Sequence, residues 1–188
     1  MIVMARVSLA LCLACAGCSS WEVVNDTRPF EGPDRSYTVV LPRGWVSPKG
    51  RLDSFSLTRD GFGLEQIVIF RRTNEKAFPR TKEKASPKLL PHELAELQMA
   101  EFKRESEVLA TADVVDMSPA RMSGKESYRL HLRWLNDDGL PLVRLVYGLC
   151  DEKNYYMLGF EAPEIHYFDK HKASFEAMVA SFRLNEKR

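Results

Sequence analysis

The chain has 188 residues, 45% of them apolar, with 27 lysines and arginines against 26 aspartates and glutamates. A formal charge of +1 gives no strongly basic face, which argues against a dedicated nucleic-acid binder. Its cysteines are Cys12, Cys15, Cys18 and Cys150, so a domain formed after Cys18 holds no internal cysteine pair and relies on its apolar core.

Met1 to Gly17 carries one charged residue, Arg6, followed by an apolar run from Val7 to Ala16 broken only by Ser8. That run is shorter than the roughly 20 residues of a membrane-spanning helix, and small residues follow it, so residues 1–17 read as a cleaved secretion signal. The segment Cys15-Ala16-Gly17-Cys18 resembles the lipobox of bacterial lipoproteins, in which a large aliphatic residue, two small residues and a cysteine mark the lipidated site. Ala16, Gly17 and Cys18 match, while Cys15 stands where leucine is usual. A rival cut before Cys15 puts the bulky Leu13 where a small side chain is favoured; an ordinary secreted protein cut near Ala16 and an uncleaved anchor are the other readings. The resemblance implies a diacylglyceryl group on Cys18, often with a third chain, and two or more acyl chains make membrane attachment stable. Under enterobacteria-like sorting, Ser19 in place of aspartate implies a bacterial outer-membrane lipoprotein facing the periplasm. Loss of Arg6 with the signal leaves 26 basic and 26 acidic residues, a formally neutral mature chain.

Residues 18–35 read as the lipidated cysteine and a polar tether, and residues 36–188 as a single domain. Tyr37, Val39 and Leu41 alternate into a stop at Pro42-Arg43-Gly44, and Trp45 is expected to cap the end of the core. Strands are predicted over 54–58 and 64–72, joined by Asp60-Gly61. From Arg71 to Pro87 the chain is loop-like and basic, and Arg71, Arg72, Lys76, Arg80, Lys82 and Lys84 are the candidate contacts for an anionic group or a protein partner. A solvated flexible loop is the plainer reading of the same residues. Pro91 opens an amphipathic helix to Arg104, with Leu90, Leu94 and Leu97 as its stripe and Glu93, Glu96 and Glu101 on the remainder. Alternating strands over 126–136 and 141–150 and a third strand over 155–161 form an antiparallel meander, and a helix over 167–181 buries Phe168, His171, Phe175, Met178 and Val179, with Phe182 just beyond it. Strands, helix, strands and helix in that order predict an α+β fold with an antiparallel sheet.

The run Ser36-Tyr37-Thr38-Val39-Val40-Leu41-Pro42-Arg43-Gly44-Trp45 resembles the opening strand and Leu-Pro-x-Gly-Trp turn of Mog1/PsbP-like domains. Tyr156-Met157-Leu158-Gly159-Phe160 and the segment Phe175 to Arg183 are similar to that family's last strand and closing helix. The resemblance implies an α/β/α sandwich, a binding or assembly role and no catalytic residues.

Chemistry-bearing clusters are sparse in the sequence. His166 and His171 are five apart, a poor match to two ligands on one helical face, so no metal site is expected, and His171 falls on the apolar stripe as a packed core residue. His131 is expected on the wet face of its strand. Cys150, inside an apolar run, reads as a buried small hydrophobe. Asp137, Asp138 and Asp151 sit at turns, where aspartate serves local hydrogen bonding, and there is no Gly-x-Ser-x-Gly elbow or phosphate-cradling glycine loop. The expectation is a non-enzyme without cofactor, a lipid-anchored module binding an envelope protein. The alternative is a periplasmic carrier of a small apolar molecule or lipid, with Trp45, Tyr128, Trp134, Tyr147 and Phe160 lining its cavity.

Overall fold

The computed structural model describes residues 21–32, 35–48 and 54–185, so the segment expected to be a secretion signal and Cys18 lie outside the described residues. In chain order the elements are β1 (Trp21–Val23), β2 (Phe30–Glu31), β3 (Tyr37–Val39), β4 (Val46–Pro48), β5 (Ser54–Leu57), β6 (Gln66–Thr73), α1 (Pro91–Lys103), α2 (Glu107–Ala110), β7 (Asp113–Met122), β8 (Lys125–Leu135), β9 (Pro141–Cys150), β10 (Asn154–Pro163), α3 (Asp169–Ser181) and β11 (Arg183–Leu184). The α+β architecture is as expected: a six-stranded antiparallel sheet, ordered β5-β6-β10-β9-β8-β7, with a helix-bearing core on each face.

Turn chemistry explains the run of hairpins from β7 to β10. Ser123 and Gly124 both take positive φ, 53° and 73°, the two-residue turn whose twist matches antiparallel strands. The Asn136 side chain accepts from the backbone N–H of Asp138 and Leu140 at 3.1 and 2.8 Å, and Asp151 accepts from Lys153 and Asn154 at 2.7 Å each. The expected three-stranded meander therefore has a fourth member, β7, whose Pro119 is tolerated because β7 is the sheet edge.

β10 is central, and nine of its ten residues are buried. Tyr156, Leu158 and Phe160 enter a core closed by Phe175, Met178 and Val179 of α3 together with Trp45, while Tyr155 and Met157 enter a second core closed by Leu94, Ala95, Met99 and Phe102 of α1. Trp45 lies wholly inside the first core rather than at its end, edge-on to Phe160.

Tyr37 to Val39 form the expected strand, but it belongs to a small sheet of order β11-β3-β2 outside the main one. The stretch read as a tether also contributes to the fold. β1 pairs with β4, β2 pairs with β3, and Val24 exchanges backbone hydrogen bonds with Trp45 and Gly44 at 2.8 and 2.9 Å. Paired strands are thus present within residues 21–35, ahead of the expected domain boundary at residue 36.

Gly148 on β9 makes room for a buried polar chain. The Tyr128 and Tyr155 hydroxyls are 2.5 Å apart, Tyr155 donates to Gln98 Oε1 at 2.7 Å, and both phenols are fully buried. A Cβ on Gly148 would stand 2.5 Å from the Tyr128 hydroxyl. Gly148→Ala is expected to cost about 2–3 kcal/mol through overpacking, read by urea denaturation. Gly63→Ala, where an added methyl meets nothing within 4 Å, should stay within about 0.5 kcal/mol of the wild type.

Candidate functional site

α1 packs chiefly over β7, β8 and β9 and leaves the β5-β6-β10 half of its sheet face open. The opening is a cavity of about 290 Å³. Its floor is Val68 and Phe70 of β6 with Met157 and Gly159 of β10, and Gln98 and Phe102 of α1 form one wall. Charged groups close both ends. At one end Arg72 and Arg80 approach Glu101, and at the other Arg144 bonds Glu161 at 2.7 Å and Glu105 at 3.4 Å. The Arg144 guanidinium also lies over the rings of Phe102 and Trp134, at 4.5 and 5.4 Å from their centroids.

Glu101 builds the first of these ends. It is 2% exposed, and its carboxylate accepts from the backbone N–H of Arg80 and Thr81 at 3.0 Å and from the Arg80 guanidinium at 3.4 Å, with Arg72 Nη1 at 4.0 Å. A buried carboxylate is tolerated only when hydrogen-bonded and paired in this way. The segment read as loose is consequently fastened down: Asn74 to Lys76 form a short 3₁₀ turn, and Ala77 and Phe78 are wholly buried. Charge alone puts Glu101 on the polar side of its helix. The signal against that was present, because Leu94, Gln98 and Glu101 follow one another by four and three and so share the core-facing stripe.

Of the six basic residues singled out by sequence, the fold brings Arg72 and Arg80 together at Glu101. Lys84 pairs with Glu75, and Lys76 and Lys82 are exposed. Arg71 is half-buried and, by strand alternation, on the opposite sheet face from Arg72. Around the groove three arginines meet three glutamates, which gives no net positive charge to hold a phosphate. Replacing Glu101 by alanine should cost about 3 kcal/mol and speed hydrogen exchange at the Arg80 and Thr81 amides ahead of the sheet amides, measured by exchange-coupled NMR.

The remaining singled-out groups separate cleanly. Cys150 is half-buried, its thiol donating to Asn74 Oδ1 at 3.0 Å and to Asp151 O at 3.2 Å; burial, reinforced by the Asp151 charge, pushes its pKa up to about 12. With so little thiolate at pH 8, alkylation of Cys150 in the native protein should run at least 100-fold slower than in urea, followed by mass spectrometry. His131 is half-buried rather than wet, stacked on Phe168 at 5.3 Å, and burial lowers its pKa. His171 is buried as expected, yet its Nε2 faces carboxylates, 3.4 Å from Glu65 Oε2 and 3.8 Å from Asp60 Oδ2. These three are the group among the described residues whose ligand atoms could hold a metal ion.

No protein-family model matches the sequence, and no curated protein matches it. Solved structures do. The fold is of the PsbP type. Cyanobacterial PsbP of Synechocystis sp. PCC 6803 superimposes with a TM-score of 0.59 over 91% of this chain and 96% of its own, at 14% identity. LpqN of Mycobacterium tuberculosis, a protein involved in cell envelope biogenesis, gives 0.56 over 85% and 90% at 11% identity. A Bacteroides thetaiotaomicron protein gives 0.54 over 85% of this chain and 49% of its own at 10% identity. At these identities the likeness is one of fold, and it meets the architecture that the Mog1/PsbP resemblance implied.

Proposed function

We propose that the chain is a bacterial envelope lipoprotein, held by lipid on Cys18 at the outer membrane facing the periplasm. Its PsbP-type domain acts as a non-catalytic module that binds an envelope protein through the open half of the sheet. The groove is the observation that carries this reading. An apolar floor bounded by fixed, charge-balanced ends has the layout of a protein interface, an apolar centre within a polar rim. At about 290 Å³ the cavity suits side chains of a partner better than an enclosed lipid.

Two further facts support it. LpqN, which shares the fold, is involved in cell envelope biogenesis. Where the described chain enters the fold, Trp21 lies against Phe62 with ring centroids 5.5 Å apart; both are exposed, as are Val23 and Leu64. An aromatic and aliphatic patch beside a lipidated residue would rest in the headgroup region, where tryptophan is favoured.

The carrier alternative placed Trp45, Tyr128, Trp134, Tyr147 and Phe160 around a cavity. Trp45, Tyr128 and Phe160 are wholly buried in the two cores, Trp134 is 6% exposed, and none of the five lines the groove. That leaves the protein-binding reading better supported.

A photo-crosslinking amino acid at Ser56 or Gln66 in the groove should capture one envelope protein in living cells, and the same probe at the exposed Ala173 on α3 should not. Identical bulk adducts from both positions would reject the groove as the interface. Metabolic labelling with palmitate tests the anchor separately: Cys18→Ala should lose both label and membrane sedimentation, and label kept by the variant defeats the lipidation claim.

A further inference from the structure

The turn between β5 and β6 carries Asp60 and Glu65, and the first turn of α3 brings His171 to them. Local hydrogen bonds hold the turn in shape. Thr58 Oγ1 donates to the Glu65 carbonyl at 2.8 Å and accepts from the Gly61 N–H at 3.0 Å, and the Asp60 N–H donates to Glu65 Oε1 at 3.3 Å. Glu65 is 1% exposed and His171 3%. The Glu65 Oε2 and His171 Nε2 atoms, which face each other, have no hydrogen-bond partner. Native proteins seldom leave two such atoms buried and unsatisfied, because each loses its water without compensation.

We infer that Asp60, Glu65 and His171 bind one transition-metal dication, with zinc the best match to their donor atoms. Zinc bonds to imidazole nitrogen and carboxylate oxygen are about 2.0–2.1 Å, which sets neighbouring ligand atoms of a tetrahedron about 3.3 Å apart. The separations here are 3.4 Å between Glu65 and His171 and 3.8 Å between His171 and Asp60, with all three ligand atoms within 4.8 Å. The two separations from His171 lie within about half an ångström of the tetrahedral value. A nitrogen donor beside two carboxylates disfavours magnesium and calcium, and the lack of sulfur disfavours copper(I). Two ligands are buried while Asp60 is about one-third exposed, which leaves an entry path and room for water as the fourth ligand. Trp45 packs edge-on against the imidazole, ring centroids 5.5 Å apart, and fixes its plane.

Protons and a lysine compete with the metal. A metal ion ligates only the unprotonated imidazole and carboxylate. Binding therefore tightens as pH rises. Lys170 Nζ bonds Asp60 Oδ2 at 3.0 Å, and with Arg59 it adds positive charge that opposes a dication. Lys170 is two-fifths exposed and can swing into solvent when the metal enters.

The test is a calorimetric titration of the full chain, purified in detergent without a histidine tag and stripped with chelator, using zinc chloride. One saturable site is expected. Cobalt(II) should give visible d–d bands without the near-ultraviolet thiolate charge-transfer band that binding at a cysteine would add. Asp60→Ala, at an exposed position, should fold normally and weaken zinc binding at least 10-fold. Glu65→Gln should abolish binding, and Lys170→Met should strengthen it several-fold. Zinc should raise the melting temperature of the wild type but not of Asp60→Ala. No saturable zinc binding would leave a shared proton between Glu65 and His171 and overturn the proposal. Binding that ignores Asp60→Ala, or that weakens in Lys170→Met, would overturn it equally.

Discussion

Burial of β10 on both faces is the constraint on which the rest of the fold depends. A strand whose alternate residues are both apolar cannot lie at an edge or face water on one side, so each sheet face must be covered. Phe160 shows how closely the first face is filled. Its ring lies 5.6 Å from Phe168, 5.7 Å from Phe175 and 6.2 Å from Trp45, drawing the entrance to α3, its middle and the segment before β4 onto one side chain. The second face is covered less completely, because α1 has only 13 residues and a helix of that length, about 20 Å, cannot span six strands. The groove is the remainder of that mismatch.

What keeps this remainder from collapsing is charge. An apolar floor of Val68, Phe70 and Met157 would gain from being covered, and Arg80 of the neighbouring segment already stands at its edge. Glu101 instead holds the backbone of Arg80 and Thr81 at the groove's end, and Arg144, wedged between Glu161 and the Phe102 ring, holds the other. A buried ion pair adds little net stability, since the desolvation of its members offsets their attraction. Its effect here is positional: it fixes where backbone and side chain stand around an opening, which is what a specific contact surface requires.

Legibility of the sequence followed the periodicity. β8, β9, α1 and α3 were readable to within a few residues because each has a clean repeat, and β10, apolar on both faces, because a turn opens it. β7 was not, since Asp113, Asp116 and Pro119 spoil the alternation, and an edge strand has one covered face at most to impose any. The strands β1, β2, β4 and β11 are two or three residues long, and the pairing of β1, β4 and β11 depends on partners distant in sequence, such as Arg183 on Thr38. The candidate site was half legible. Arg72 and Arg80 were picked out as charges, but their common partner was hidden by reading Glu101 from its charge rather than its place on the helix. His171 was placed correctly in the core, and the carboxylates opposite it lie more than a hundred residues away, beyond any spacing rule.

The 59–65 turn joins the exposed patch around Trp21 to the Asp60, Glu65 and His171 cluster. Phe62 stands on it beside Trp21, and Asp60 and Glu65 flank Phe62 within the same few residues. Gly61, at φ 118°, lets the chain reverse there, and an L side chain at that position would be strained. Thr58, Gly61 and Glu65 tie the base of the turn, so its tip has few independent ways to move. Any cation or proton that draws Glu65 and His171 together also ties this tip to α3, and with it the position of Phe62 where the chain enters the fold. The coupling requires no long pathway, only a turn too short to shift one side chain without the other.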